Sequence, residues 1–241
     1  MNGLGVRKLG LVPYLRGLEL QTQAAKALRE RPGSHEVLFV LQHPTVITLG
    51  RSASRDDVLL GDDELRQRDI ELVLIDRGGN ATLHSPGQIV LYPILHLGRR
   101  HLGPARLVEL LEDAMIETCR AFGVAAGRLP PHPGAWIAES PGKPARKIGA
   151  IGLRVSGGVT THGIAFNVAN DLDLYRSIVP CGLLGLGVTS LEAELGRPVD
   201  FAAVEDALVW AVRSDLDDTT DAPPPSPVRA GVAPPRRGSD D

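Results

Sequence analysis

Two apolar runs joined by a Ser-Gly-Gly turn constrain this chain more than any other feature. Residues 148–155 and 160–168 are rich in apolar and β-branched side chains, and Ser156-Gly157-Gly158 separates them. Glycine takes a positive φ without steric penalty, and the tightest strand-to-strand turns need that conformation. The stretch therefore predicts an antiparallel hairpin. Further strand-like runs occupy residues 36–42 and 45–49, parted by His43-Pro44, then 71–76 and 88–94. Pro93 lies inside the last of these, and a residue that cannot donate to a ladder points to a sheet edge or a strand end. Within the Pro- and Gly-rich stretch 128–144, Gly134-Ala-Trp-Ile-Ala138 reads as one short strand in a loop.

Helices fall between these runs. Residues 13–30 open on Pro13, suited to a first turn, and end before Gly33. Residues 104–122 place Val108, Leu111, Met115, Cys119 and Phe122 at helical spacing, with Gly123 as a C-cap. Thr189-Ser-Leu-Glu192 reads as a capping box for a short helix closed by Gly196 and Pro198. Residues 201–212 form the last periodic helix, and 55–68 are polar and irregular, with a short helix at most. There is no regular βαβ alternation. The expected fold class is α+β, a single domain with a mixed or antiparallel sheet flanked by helices. No GxGxxG or P-loop follows a strand, so dinucleotide and Walker-type sites lack support.

With 43% hydrophobic residues and a mean hydropathy of −0.01, the 241-residue chain reads as an ordinary soluble domain. No run is long enough to cross a bilayer, and MNGLGVRKLG lacks the apolar core of a secretory signal. Two cysteines make no disulfide framework, so the expected location is the reducing cytoplasm. A net charge of −3 and a pI of about 6.2 argue against a nucleic-acid partner. From Ser214 onward there are six aspartates, three arginines and six of the 19 prolines, so the rest of the chain is near neutral. The expected division is a catalytic domain over 1–213 and a Pro-rich, disordered tail over 214–241.

Two residues in the central stretch suggest chemistry. Lys147 heads an apolar strand, where burial would lower the cost of losing its proton. Cys181 sits between Pro180 and Gly182, in a turn setting rather than on an apolar helix face. Together they could supply a thiolate nucleophile and its proton partner. Cys119, on the face of the long helix, is expected to be a packing thiol. His43, His84 and His162 match no zinc spacing and read as hydrogen-bonding groups at strand ends, so no metal is expected. The loop RGGNATLHSPGQ gathers glycines, Arg77 and His84 between two strands and reads as a binding wall.

RGGNATLHSPGQ, KIGAIGLRVSGGVTTHGIAFNV and IVPCGL, in that order and spacing, closely resemble the lipoyl(octanoyl) transferases of the lipoate/biotin protein ligase-like superfamily. The resemblance covers residues 37–195. It implies the lipoate–biotin protein ligase-like fold, shared with class II aminoacyl-tRNA synthetases and biotin synthetase. It also implies acyl transfer without a cofactor. The octanoyl group would pass from octanoyl-acyl carrier protein to a lysine of a lipoyl domain, in 2-oxoacid dehydrogenase complexes or the glycine cleavage H protein. By the same resemblance Cys181 is the acyl-thioester nucleophile and Lys147 the lysine that lowers its pKa. Arg77, Gly78, Gly79, Asn80, Ala81, Thr82, Leu83 and His84 match the substrate-contacting loop. Ala150, Ile151 and Gly152, with Gly163, Ile164 and Ala165, match two stretches lining the acyl channel. Ser85 stands where the family usually has glycine, which strains the turn if that position needs a positive φ.

Two alternatives stand beside the transferase: an ATP-dependent lipoate–protein ligase on the same fold, and a non-catalytic acyl- or carrier-binding module. Arg99, Arg100, His101 and Arg106 form a candidate basic dock for an acidic carrier protein.

Overall fold

In the computed structural model the described residues are 4–31, 33–179 and 185–217. The Gly-Gly hairpin organises them. β9 (Arg146–Ser156) and β10 (Val159–Asn167) pair antiparallel, and Gly157 and Gly158 take φ of 57° and 73° between them. The main sheet runs β1 (Gly5–Leu11), β2 (Val37–Gln42), β6 (Gln88–Ile94), β10, β9, β8 (His132–Ile137) and β7 (Gly127–Leu129). Its pairs are antiparallel except β1 with β2, and a short parallel strand, β11 (Gly187–Val188), lies beside the start of β9. A second sheet has β3 (Val46–Leu49) between β4 (Glu71–Leu74) and β5 (Ala81–His84). The short helix α2 (Asp62–Gln67) buries Leu65 against this small sheet.

Each face of the main sheet is covered by apolar helix surface. α1 (Tyr14–Glu30) buries Ala25 and Leu28 with Phe39, Val90 and Ile94 on one face. α3 (Pro104–Ala121) and α5 (Phe201–Leu216) pack Leu107, Leu111, Met115, Val204 and Leu208 with Leu91, Ile148 and Phe166 on the other. Cys119 belongs to this core, and burial pushes its thiol pKa up to about 12, as befits a packing thiol. No helix among the described residues is long and apolar enough to cross a membrane.

Several expectations need correction. β6 is central rather than an edge, and the other expectation for Pro93 holds: it is the penultimate residue of β6, beyond the last residue paired with β10, Leu91. Pro93 lies opposite Leu38 on β2. Its carbonyl accepts from Thr160 Oγ1 (2.5 Å), and the His162 N–H turns to Gln21 Oε1 on α1 (2.7 Å). His162 takes a φ of 59°, and the ladder resumes at Thr160 N–H to Leu95 O (2.9 Å). The stretch expected to be loop with one short strand holds two strands, β7 and β8.

The capping box is offset by one residue. Ser190, not Thr189, caps α4 (Leu191–Leu195), while Thr189 Oγ1 donates to Glu194 (2.5 Å). β1, which no sequence pattern announced, is a parallel edge strand with a mostly exposed surface.

The boundary expected at residue 213 falls inside α5, which continues to Leu216. Asp217 then accepts from the Leu4 N–H (3.0 Å) and pairs with Arg100 (3.2 Å). The remainder of the expected tail, residues 218–241, lies outside the described residues.

Candidate active site

The cleft that gathers most of the expected residues lies where the small sheet meets β6, β10 and β9. Its empty volume is about 530 Å³, open mouth included. Arg77, Gly79, Asn80, Ala81, Thr82 and His84 line it from the loop and β5, and Ala150, Ile151, Gly152, Gly163, Ile164 and Ala165 from the hairpin. Lys147 completes this wall, and Tyr14, Tyr92 and His162 join it without having been expected as site residues. Two expected residues are placed elsewhere. Leu83 is fully buried in the core of the small sheet, and Gly78 lines a second cleft.

The hairpin register explains the floor. Ala150 lies opposite Ala165 and Gly152 opposite Gly163, two cross-strand pairs of small residues side by side. A Cβ on Gly152 would stand 2.9 Å from Arg77 Cδ and 3.3 Å from Gly78 O. One on Gly163 would stand 2.0 Å from Leu91 O, on the strand that holds Pro93. Those glycines admit the close approach of the protein's own backbone and of the Arg77 side chain.

Arg77 is 7% exposed and directs its guanidinium into the structure. Nη2 donates to Thr48 O (2.9 Å), Thr48 Oγ1 (3.0 Å) and Asn80 O (2.8 Å), and Nη1 to Gly78 O (3.0 Å). The Gly78 N–H donates to Leu153 O (3.2 Å), tying the loop to β9. Gly50 must be glycine for this packing, since a Cβ there would lie 2.3 Å from Gly79 O. Arg77 thus braces the loop from inside.

Three buried, neutral histidines stand here, His84 and His162 in the cleft wall and His43 behind it. His43 Nδ1 donates to Val12 O (2.7 Å), which leaves Nε2 to accept from the Tyr92 hydroxyl (2.8 Å). His84 Nδ1 donates to Gln88 Oε1 (2.7 Å), whose amide nitrogen donates to Asn167 Oδ1 (2.9 Å). Tyr14 stacks on His84 with centroids 5.9 Å apart. Burial lowers the pKa of His43 and of His162 to about 4 and that of His84 to about 3, with the neighbouring His43 adding to the last. His162 stays neutral even with Asp76 Oδ1 at 3.1 Å from Nε2. No cluster able to hold a metal ion occurs among the described residues.

The turn after β5 resolves the position of Ser85. Gln88 N–H donates to Ser85 O (3.2 Å), and the residue with positive φ is Gly87, at 87°. Proline then glycine at the centre of such a turn is the type II pattern, so Ser85 bears no backbone strain.

Lys147 is half-buried and faces Val188 of β11 on one side and Trp136 of β8 on the other. Its Nζ stands over the Trp136 ring at 4.7 Å. Lys147, Gly79, Asn80, Ile151 and Gly152 also line the second cleft, of about 1110 Å³ empty volume, bounded by Pro104, Val108, His132 and Val155. Lysine therefore sits where the two clefts meet. Cys181, the other half of the expected pair, lies outside the described residues.

The expected basic dock is largely committed to the fold. Arg100 is paired with Glu36 (2.5 Å) and Asp217, with side chains only 10–13% exposed. Arg99 donates to Ser34 O and Leu28 O, both at 3.1 Å, and Arg106 pairs with Glu109 (2.9 Å).

Lys147, on the mixed sheet at the junction of two clefts, marks the candidate site. Sequence comparison assigns the class: residues 13–213 match the family of the lipoyl protein ligase A/B catalytic domain, and the chain belongs to it. It is 45% identical over 202 residues to an octanoyltransferase of Bacteroides fragilis, covering 82% of this chain and 91% of that protein. An octanoyltransferase of Mycobacterium leprae is 42% identical over 216 residues, covering 90% and 89%. One from Myxococcus xanthus is 40% identical over 226 residues, covering 93% of this chain, which spans 63% of that longer protein.

Solved structures agree on the fold. A bipartite lipoate protein ligase from Thermoplasma acidophilum superposes with a TM-score of 0.68 at 16% identity, covering 89% of this chain and 84% of that one. Lipoate-protein ligase A bound with ATP gives 0.64 at 17% identity, covering 89% and 85%.

Proposed function

We propose that this protein is an octanoyltransferase of lipoate biosynthesis, moving an octanoyl group from its carrier protein to a lysine of a lipoyl domain. The observation that carries the reading is Lys147 at the junction of two clefts, in a chain 40–45% identical to octanoyltransferases. On this reading the acyl chain lies in the first cleft, over Ala150 and Ala165. The donor's thioester arm and later the acceptor lysine reach the same point through the second.

Cys181 is the nucleophile. The thiol gives its proton to Lys147, and the thiolate attacks the donor thioester. The resulting oxyanion collapses to expel the carrier thiolate, which takes that proton back from Lys147, and an octanoyl-Cys181 thioester is left. The acceptor amine then attacks this thioester, Lys147 takes the amine's proton, and the Cys181 thiolate leaves. The donor is already activated, so the cycle consumes no ATP. β11 supports the pairing of the two residues: seven residues beyond Cys181, Val188 lies beside Lys147, and the Thr189 N–H donates to Lys147 O (2.9 Å).

The neutral histidines favour an apolar guest, because the cleft wall carries no imidazolium at neutral pH. An ATP-dependent ligase shares this fold, and an ATP dropout separates the two. With octanoyl-carrier protein and an apo lipoyl domain, transfer should proceed unchanged without nucleotide and fall at least about 10²-fold in Lys147→Ala. Dependence on ATP, or an undiminished Lys147→Ala enzyme, overturns the assignment.

A further inference from the structure

The surface beneath Lys147 is built from β8, a strand the proposed reaction does not use. Trp136 is the direct cross-strand partner of Lys147 and is 3% exposed. Its indole N–H donates to His132 O (3.0 Å), which fixes the ring orientation and presents one face to the ammonium at 4.7 Å. The lysine stem runs over Gly134, where an added Cβ would stand 3.5 Å from Lys147 Cε and only 2.3 Å from Gly149 O. Gly134 is itself anchored: its N–H donates to Glu112 Oε1 (2.9 Å), and Glu112 Oε2 is held by Arg128 Nε (2.7 Å). α3 thereby locks the strand that carries the indole.

We infer that Trp136 is the positioning residue of Lys147. Its ring face holds the ammonium at the cleft junction by a cation–π contact, and the Glu112–Gly134 bond holds the ring. An aromatic face stabilises a cation by its quadrupole, most strongly where water is excluded. In this role the indole steadies the charged lysine that the thiolate needs as a neighbour. The contact weakens once the lysine has given its proton up.

The titratable neighbours on the surrounding elements are already placed. Glu112 of α3 is paired with Arg128, and Arg146 of β9 with Glu194 of α4. His132 lies at the start of β8, while Arg77, His84 and His162 stand in the first cleft. The inference rests on the proposed role of Lys147, and the test keeps the two apart.

Octanoyl transfer should be measured for Trp136→Phe and Trp136→Leu, with thermal melts as a check on folding. The phenyl ring should keep kcat within about 5-fold of the parent, while the leucine variant should lose about 10- to 30-fold in kcat with KM for the donor little changed. Because a buried tryptophan resists replacement, a second measurement leaves its volume almost intact. The chain has two tryptophans, so a Trp210→Phe background confines analogues with one, two or three ring fluorines to position 136. The logarithm of kcat should fall stepwise with fluorination, and the acidic limb of the pH–rate profile should shift with it. Equal loss in the Phe and Leu variants, or a rate indifferent to fluorination, overturns the inference. Undiminished transfer by Lys147→Ala, in contrast, removes the role of the lysine itself.

Discussion

Acidification should unfold this protein from around its active site. His43, His84 and His162 are 0%, 6% and 2% exposed and neutral, with pKa values lowered to about 4, 3 and 4 by burial. In the unfolded chain each returns to about 6.5 and binds a proton below that pH. Between the folded and unfolded values the unfolded state therefore holds more protons, so stability is full above pH 6.5 and is lost as pH falls toward 4. Taken singly, each histidine costs about 2 kcal/mol between pH 7 and pH 5. His84 owes part of its shift to His43, so the three do not add fully, and about 4 kcal/mol is expected for the set. That is a large share of the ~5–15 kcal/mol stabilising an ordinary domain. Urea unfolding at pH 7, 6 and 5 should show the midpoint falling steeply with an unchanged slope. His43→Gln should lessen the pH dependence while lowering stability at pH 7. A midpoint that is flat from pH 7 to 5 refutes the reasoning.

Shortening the chain separates the fold from the residues beyond it. A protein ending at Asp217 should melt like the full chain, whereas one ending at Arg213 loses the Asp217–Arg100 pair and should be about 2–4 kcal/mol less stable by denaturant unfolding. Ala165→Leu should fill the first cleft, so transfer of octanoyl should fall at least about 10-fold while a butanoyl donor is spared; equal loss for both donors contradicts the assigned chain path. Gly163→Ala should act on the fold, costing about 1–3 kcal/mol of stability because its Cβ would meet Leu91 O.

How far each element was legible in the sequence depends on how local its signal is. The Gly157-Gly158 turn and the periodicity of α3 are written within a few residues, and both stand in the structure. β1 was invisible because GVRKLGL buries so little that its pattern resembles a polar leader. The position of Pro93 inside a central strand depends on Thr160 and Gln21, about 70 residues away on either side, and no local rule contains them. Trp136 stands only 11 residues from Lys147, yet its meaning appears only once β8 and β9 are in register. The glycines of the hairpin suggest room for a ligand, yet Gly152 and Gly163 serve backbone packing, a distinction only the neighbours reveal. Composition misled at the C-terminus, where the aspartates suggested a tail and Asp217 proved to be an anchor for Arg100.

A covalent intermediate at Cys181 is the step on which the proposed reaction depends. Intact-mass analysis after brief incubation with octanoyl-carrier protein, without ATP or acceptor, should show one octanoyl increment that peptide mapping places on Cys181. The increment should be absent from Cys181→Ala and discharged by an apo lipoyl domain. No adduct on an active enzyme, or full transfer by Cys181→Ala, contradicts it.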